Sequence, residues 1–160
     1  MLTIEQLRTP VVLPEEHGRL ACLFLLVFSR FEAALKQAGY VRPTGDRLVV
    51  EWRRFAQENQ PAAGDHPALI TSIRPLIERP PWRQRVVDGR LDFVCEPPRM
   101  ERVDSEWLLE MVYRVRNNLF HGGKWPVQPE RDPELLSACL AALGHYVDLN
   151  TNVARAYFEM

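Results

Sequence analysis

Apolar residues recur at intervals of three and four along most of this chain, the spacing that places them on one face of an α-helix. Prolines divide that pattern into four proline-free windows, 15–42, 44–60, 99–125 and 134–160, where helix interiors are expected because proline removes a backbone donor and clashes with the preceding turn. The first window predicts a long helix over 15–37 carrying Leu20, Leu23, Phe24, Val27, Phe31, Ala34 and Leu35, with Gly39 as its stop. In the second, Leu48, Trp52, Phe55 and Ala56 step at helical spacing while Arg53, Arg54 and Glu58 fall elsewhere on the wheel, which predicts a shorter amphipathic helix. Residues 65–79 predict another, with Leu69, Ile70, Ile73, Leu76 and Ile77 inward and Pro75 kinking or interrupting it.

Later in the chain, Leu108, Met111, Val112, Val115 and Leu119 form a stripe on a helix that Asp104 or Ser105 can cap and that Gly122-Gly123 stops. The last window, over 133–160, predicts one long helix with Leu135, Leu136, Leu140, Leu143, Val147 and Val153 inward and Asp132 as a cap. Strands have little support: Leu48-Val49-Val50 and Arg85-Val86-Val87 are short and isolated, and 80–100 reads as a long irregular connection rich in proline and arginine. The expected fold is all-α, an up-and-down bundle of about five helices in a single domain over 1–160.

Composition narrows the function classes. Of 160 residues, 20 are Lys or Arg and 21 Asp or Glu, so any affinity for nucleic acid or anionic membrane must come from a local patch. The longest apolar run, Leu20 to Phe28, is far shorter than the ~20 residues that span a bilayer, and the Met-Leu-Thr-Ile-Glu-Gln start lacks the pattern of a secretory signal. No membrane partner is expected. Cys22, Cys95 and Cys139 stand outside any C-x-x-C spacing, which argues against a disulfide framework and for a reducing cytoplasm. No two His or Cys stand at i,i+4, no carboxylate pair is evident, and no Walker or Rossmann glycine loop occurs, so neither a metal nor a cofactor is expected.

The candidate chemistry lies at the end of the helix before Gly122-Gly123. From Met111 to Gln128 there is no acidic residue, yet the stretch holds Arg114, Arg116, His121 and Lys124 beside Asn117 and Asn118. Phosphate is the ligand class this composition suits: guanidinium binds it through a bidentate fork, and imidazole exchanges a proton near neutral pH, as cleavage of a phosphodiester at a ribose 2′-OH requires. On an ideal helix Arg116 and His121 are about 7.5 Å apart along the axis and about 140° apart around it. Either the helix frays at His121, or a second copy across a two-fold axis completes the site. The plainer alternative is a helix C-terminal cap, in which the same cations complement the dipole. Among the other candidates, His17, His66 and His145 read as packed, surface or turn residues, and Trp52, Trp107 and Trp125 as core or interface anchors. Trp82 beside Arg79, Arg83 and Arg85 is the best candidate for base stacking, against a solvated loop.

Arg116-Asn117-Asn118-Leu119-Phe120-His121 resembles the signature of the HEPN superfamily of small α-helical proteins: an Arg, commonly followed by a polar residue, then four to six positions to a His. Its context is similar too, at the end of a late amphipathic helix, as is the segment Arg30-Phe31-Glu32-Ala33-Ala34-Leu35-Lys36. The resemblance implies a HEPN-like homodimer whose paired motifs form a metal-independent endoribonuclease site for single-stranded RNA, in a toxin–antitoxin or antiviral setting with a cognate antitoxin or defence partner. Carried over, Arg116 holds the scissile phosphate, Asn117 orients it or the arginine, and His121 acts as acid or base. Lys124, Asn118 and Arg114 are candidate substrate-binding residues from the same basic stretch. Some toxin members carry a Tyr two positions after the motif His as a target of modification; Gly123 stands there in this chain. The family also contains members that no longer cleave RNA, so a non-catalytic module that binds RNA, a nucleotide or a protein partner is the alternative.

Overall fold

The computed structural model describes residues 15–60, 66–98, 103–120 and 131–159. In chain order these form α1 (Glu15–Gln37), β1 (Val41–Thr44), β2 (Arg47–Val50), α2 (Trp52–Glu58), α3 (Pro67–Glu78), β3 (Arg83–Val87), β4 (Arg90–Val94), α4 (Ser105–Phe120), α5 (Arg131–Leu149) and α6 (Thr151–Glu159). The fold is mostly helical, with two small two-stranded antiparallel sheets.

α1 has the bounds that its periodicity predicts, and Ala21, Phe24, Phe28, Phe31, Ala34 and Leu35 are buried along it. Its end is a Schellman motif: Gly39 takes a φ of +87°, Tyr40 N–H donates to the Leu35 carbonyl at 2.9 Å, and Gly39 N–H donates to that of Lys36 at 3.2 Å. α5 is the central helix, in contact with α1, α3, α4 and α6. It buries Leu135, Leu136, Ala138, Cys139, Ala142, Leu143, Tyr146 and Val147, more than one stripe, because it meets neighbours on several sides. α3 continues through Pro75 with Leu69, Ile73 and Leu76 inward.

Three expectations are corrected. The chain is not purely helical: Leu48-Val49-Val50 and Arg85-Val86-Val87 both belong to strands, each paired with a neighbour across a two-residue turn. At Asp88-Gly89 both residues have positive φ, 50° and 74°, the type I′ geometry that matches strand twist; at Gly45-Asp46 only the glycine does, at 62°, as in type II′. Second, 80–98 is therefore not irregular throughout but holds the β3–β4 hairpin, and Leu48 lies in β2, so the second helix begins only at Trp52.

Third, the helix expected over 133–160 is broken at Asn150. Its Oδ1 accepts from the backbone N–H of Asn152 and of Val153, both at 3.1 Å, and so caps α6. Its Nδ2 donates to Asn59 Oδ1 at 2.8 Å and to the Tyr40 hydroxyl at 3.2 Å. The break lets α6 lie along α1, where Arg30 donates to the Tyr157 carbonyl.

Candidate functional site

The site is built on α4. Asp104 Oδ1 accepts from Trp107 N–H at 2.8 Å, so Asp104 is the cap that starts the helix, and Ser105 instead donates its hydroxyl to the Asn59 carbonyl at 2.7 Å. Leu108, Leu109, Met111, Val112 and Val115 are buried, and α4 is held against α2 and α5. This fixes the orientation of the last turn, where the polar candidates lie.

Arg114 and Asn118, four residues apart and hence on one face, point toward the second hairpin. Arg114 is only 8% exposed; its Nη1 is 2.7 Å from Glu96 Oε2 and 3.2 Å from the Pro81 carbonyl, and its Nη2 is 2.7 Å from Glu110 Oε1. Arg83 joins the cluster, with Nη2 at 2.9 Å from Glu110 and Nε at 3.7 Å from Glu96. Asn118 is buried and donates to the Trp82 carbonyl at 2.9 Å. Together they fasten both ends of the β3–β4 hairpin to α4. The Arg114 guanidinium, through its hydrogen bond, holds the Glu96 carboxyl below its ordinary range against the opposing effect of burial.

Arg116 lies about 200° around the helix from Arg114 and so faces the other way. It is half-buried, with its guanidinium carbon 5.9 Å from the Phe28 ring centroid. Its Nη1 donates to Asn117 Oδ1 at 3.1 Å, so the first two positions of the motif are already coupled. Phe28 in turn stacks on Trp52, with centroids 5.6 Å apart at 24°, and Tyr113 packs against both, at 6.2 Å and 6.0 Å. The motif arginine thus sits at the end of an aromatic cluster drawn from α1, α2 and α4.

The α4 helix runs to Phe120, and His121, Gly122, Gly123, Lys124 and Trp125 lie outside the described residues. Among the candidate substrate-binding residues, Arg114 and Asn118 are engaged with the hairpin. The acid-free window counted Arg114 as available charge, whereas Glu96, from beyond β4, and Glu110, one turn earlier, flank it. A window drawn along the chain cannot register a carboxylate delivered by a hairpin. What could have signalled it is Glu110 at i−4 to Arg114, a helical ion-pair spacing. Trp82 is half-buried, with the Arg131 guanidinium carbon 5.5 Å from its ring centroid; Arg131 also donates to the Arg79 and Pro80 carbonyls. Tyr113, one turn before the motif arginine, joins Phe28 and Trp52, a contact between helices that local spacing does not announce.

Among the described residues, no group of three His, Cys, Asp or Glu side chains is placed to hold a metal ion, and no helix is long and apolar enough to cross a membrane. Comparison of the chain with protein-family models, with curated proteins and with solved structures finds no match.

Proposed function

We propose that the protein is a metal-independent endoribonuclease of HEPN type that cleaves single-stranded RNA at a composite site between two copies of the chain. The observation that carries this reading is the coupling of Arg116 to Asn117 on α4, on the side away from the Arg114 cluster. Arg116 and Asn117 bind and orient the scissile phosphate. One His121 takes the proton of the ribose 2′-OH as that oxygen attacks phosphorus. The His121 of the second copy protonates the departing 5′-oxygen, giving a 2′,3′-cyclic phosphate and a free 5′-hydroxyl. A toxin or defence role with an antitoxin partner, a HEPN-like single domain over 1–160 and a cytoplasmic location belong to the same proposal.

The test is incubation of the wild type, His121→Ala and Arg116→Ala with labelled single-stranded RNA in excess EDTA. Cleavage by the wild type alone, with cyclic-phosphate ends, is expected; absence of cutting by all three across several RNAs overturns the reading. The alternative, a non-catalytic module that binds RNA, a nucleotide or a protein, is favoured by the engagement of Arg114 with Glu96 and Glu110, which removes one cation from the basic helix end. It predicts that losing His121 weakens binding mildly.

A further inference from the structure

Between α2 and α4 runs an open groove of about 380 Å³, lined by Trp52, Ala56, Leu109 and Tyr113 and bordered by Arg53 and Glu106, which pair at 3.2 Å. Its size falls within the range of small-ligand sites. Tyr113 is 42% exposed although its ring packs on two others. Tyr113 and Arg116 are neighbours at i,i+3, about 4.5 Å apart along the axis of α4. The Phe28 ring contacts both the Arg116 guanidinium, at 5.9 Å, and the stacked Trp52, at 5.6 Å, so the aromatic cluster links the motif arginine to the groove.

The lining selects the occupant. A phosphate is disfavoured, because Glu106 and Glu110 both line the groove. A nucleobase offers a flat face to the aromatic rings and N–H donors at its edge to a carboxylate. Glu106 keeps acceptor capacity for one, since each of its oxygens receives a single contact, from Gln57 at 2.8 Å and from Arg53 at 3.2 Å.

We propose that this groove seats one unpaired nucleobase of a single-stranded RNA, stacked on the Trp52 and Tyr113 rings, next to the phosphate that Arg116 holds. RNA as the ligand rests on the ribonuclease reading above. The groove makes Tyr113 a residue that positions substrate from one turn before the motif.

The experiment measures binding, by fluorescence anisotropy, of a 2′-O-methyl cytidine heptamer and of a heptamer of abasic spacers with the same charge. Methylation removes the attacking hydroxyl, so binding is read without cleavage. The wild type is expected to prefer the base-bearing oligomer by roughly 5- to 100-fold, the range of one base–aromatic stack. Tyr113→Leu is expected to lose most of that preference while still unfolding cooperatively, and Tyr113→Phe to retain it. Equal affinity for the two oligomers, binding of neither, or a preference that survives Tyr113→Leu overturns the proposal, and the groove then fits an apolar side chain of a protein partner. A chain that cuts RNA in EDTA without telling the oligomers apart refutes the groove alone. One that tells them apart but leaves RNA uncut refutes the nuclease reading alone.

Discussion

Arg114 Nη1 lies 2.7 Å from Glu96 Oε2, joining a buried guanidinium on α4 to the segment that leaves β4. Replacing Arg114 by Ala leaves Glu96 and Glu110 without that partner and is expected to cost roughly 2–3 kcal/mol, below the figure for a fully buried pair because both carboxylates keep some contact with water. Urea unfolding checks it. The same contact sets an acid limb. Glu96 is held below its ordinary value of 4.5, so its contribution is complete above that value and is lost as pH falls through the lower folded one. Glu96→Gln should flatten the stability curve in that window.

Arg116 and Arg114, two positions apart, are expected to respond in opposite ways to conservative change. Arg116→Lys keeps the charge but loses the planar fork, so on the ribonuclease proposal cleavage should fall roughly 10- to 100-fold while stability changes by less than about 1 kcal/mol. Arg114→Lys has a single nitrogen in place of the two that bond Glu96 and Glu110, so its defect should appear in unfolding. Paired cleavage and denaturation curves for the two variants separate these roles.

At the α5–α6 break, Asn150 acts through both ends of its amide. Asn150→Ala removes the cap of α6 and the donors to Asn59 and Tyr40, with an expected loss of about 2 kcal/mol. Asn150→Ser restores a capping oxygen but not the amide donors, and about half of the loss should return. Thermal unfolding of the three chains tests the division.

A second pH effect lies at higher pH. His145 on α5 has its ring centroid 4.7 Å from that of His66, and its Nε2 is buried with no hydrogen-bond partner among the described residues. Burial, and then the like charge of His66, lower its pKa from the ordinary 6.5, while Asp148 pulls the other way. The folded state therefore takes up this proton less readily than the unfolded chain. Its contribution is complete above pH 6.5 and lost as pH falls through the lowered value. The unfolding temperature should decline below pH 6.5, and His145→Gln should remove that slope without altering the Glu96 limb.

The helices were legible because their signal is local: an apolar stripe in α1, Gly39 as its stop and Asp104 as the α4 cap each act over a few residues. The hairpins were not, since their strands are only four and five residues long, and the one strong local signal is Asp88-Gly89, a dipeptide whose backbone preference specifies a two-residue turn. Asn150 reads as an ordinary helical residue until Asn59 and Tyr40, both far away in the chain, claim its amide. At the site, the grouping of Arg116 with Asn117 was legible from adjacency, whereas the engagement of Arg114 depends on a carboxylate that only the folded hairpin brings near. The groove beside Tyr113 belongs to the same class, because its walls come from separate helices.

The central helix also carries a built-in chemical clock. Cys139 is fully buried on α5, and burial pushes its thiol well above the ordinary range, whereas Cys22 and Cys95 are exposed. Under native conditions an alkylating reagent should modify those two thiols at once and reach Cys139 only when α5 parts from its neighbours. The slow phase of modification therefore times the opening of the core, and a ligand that binds only the closed fold should lengthen it by the factor 1 + [L]/Kd.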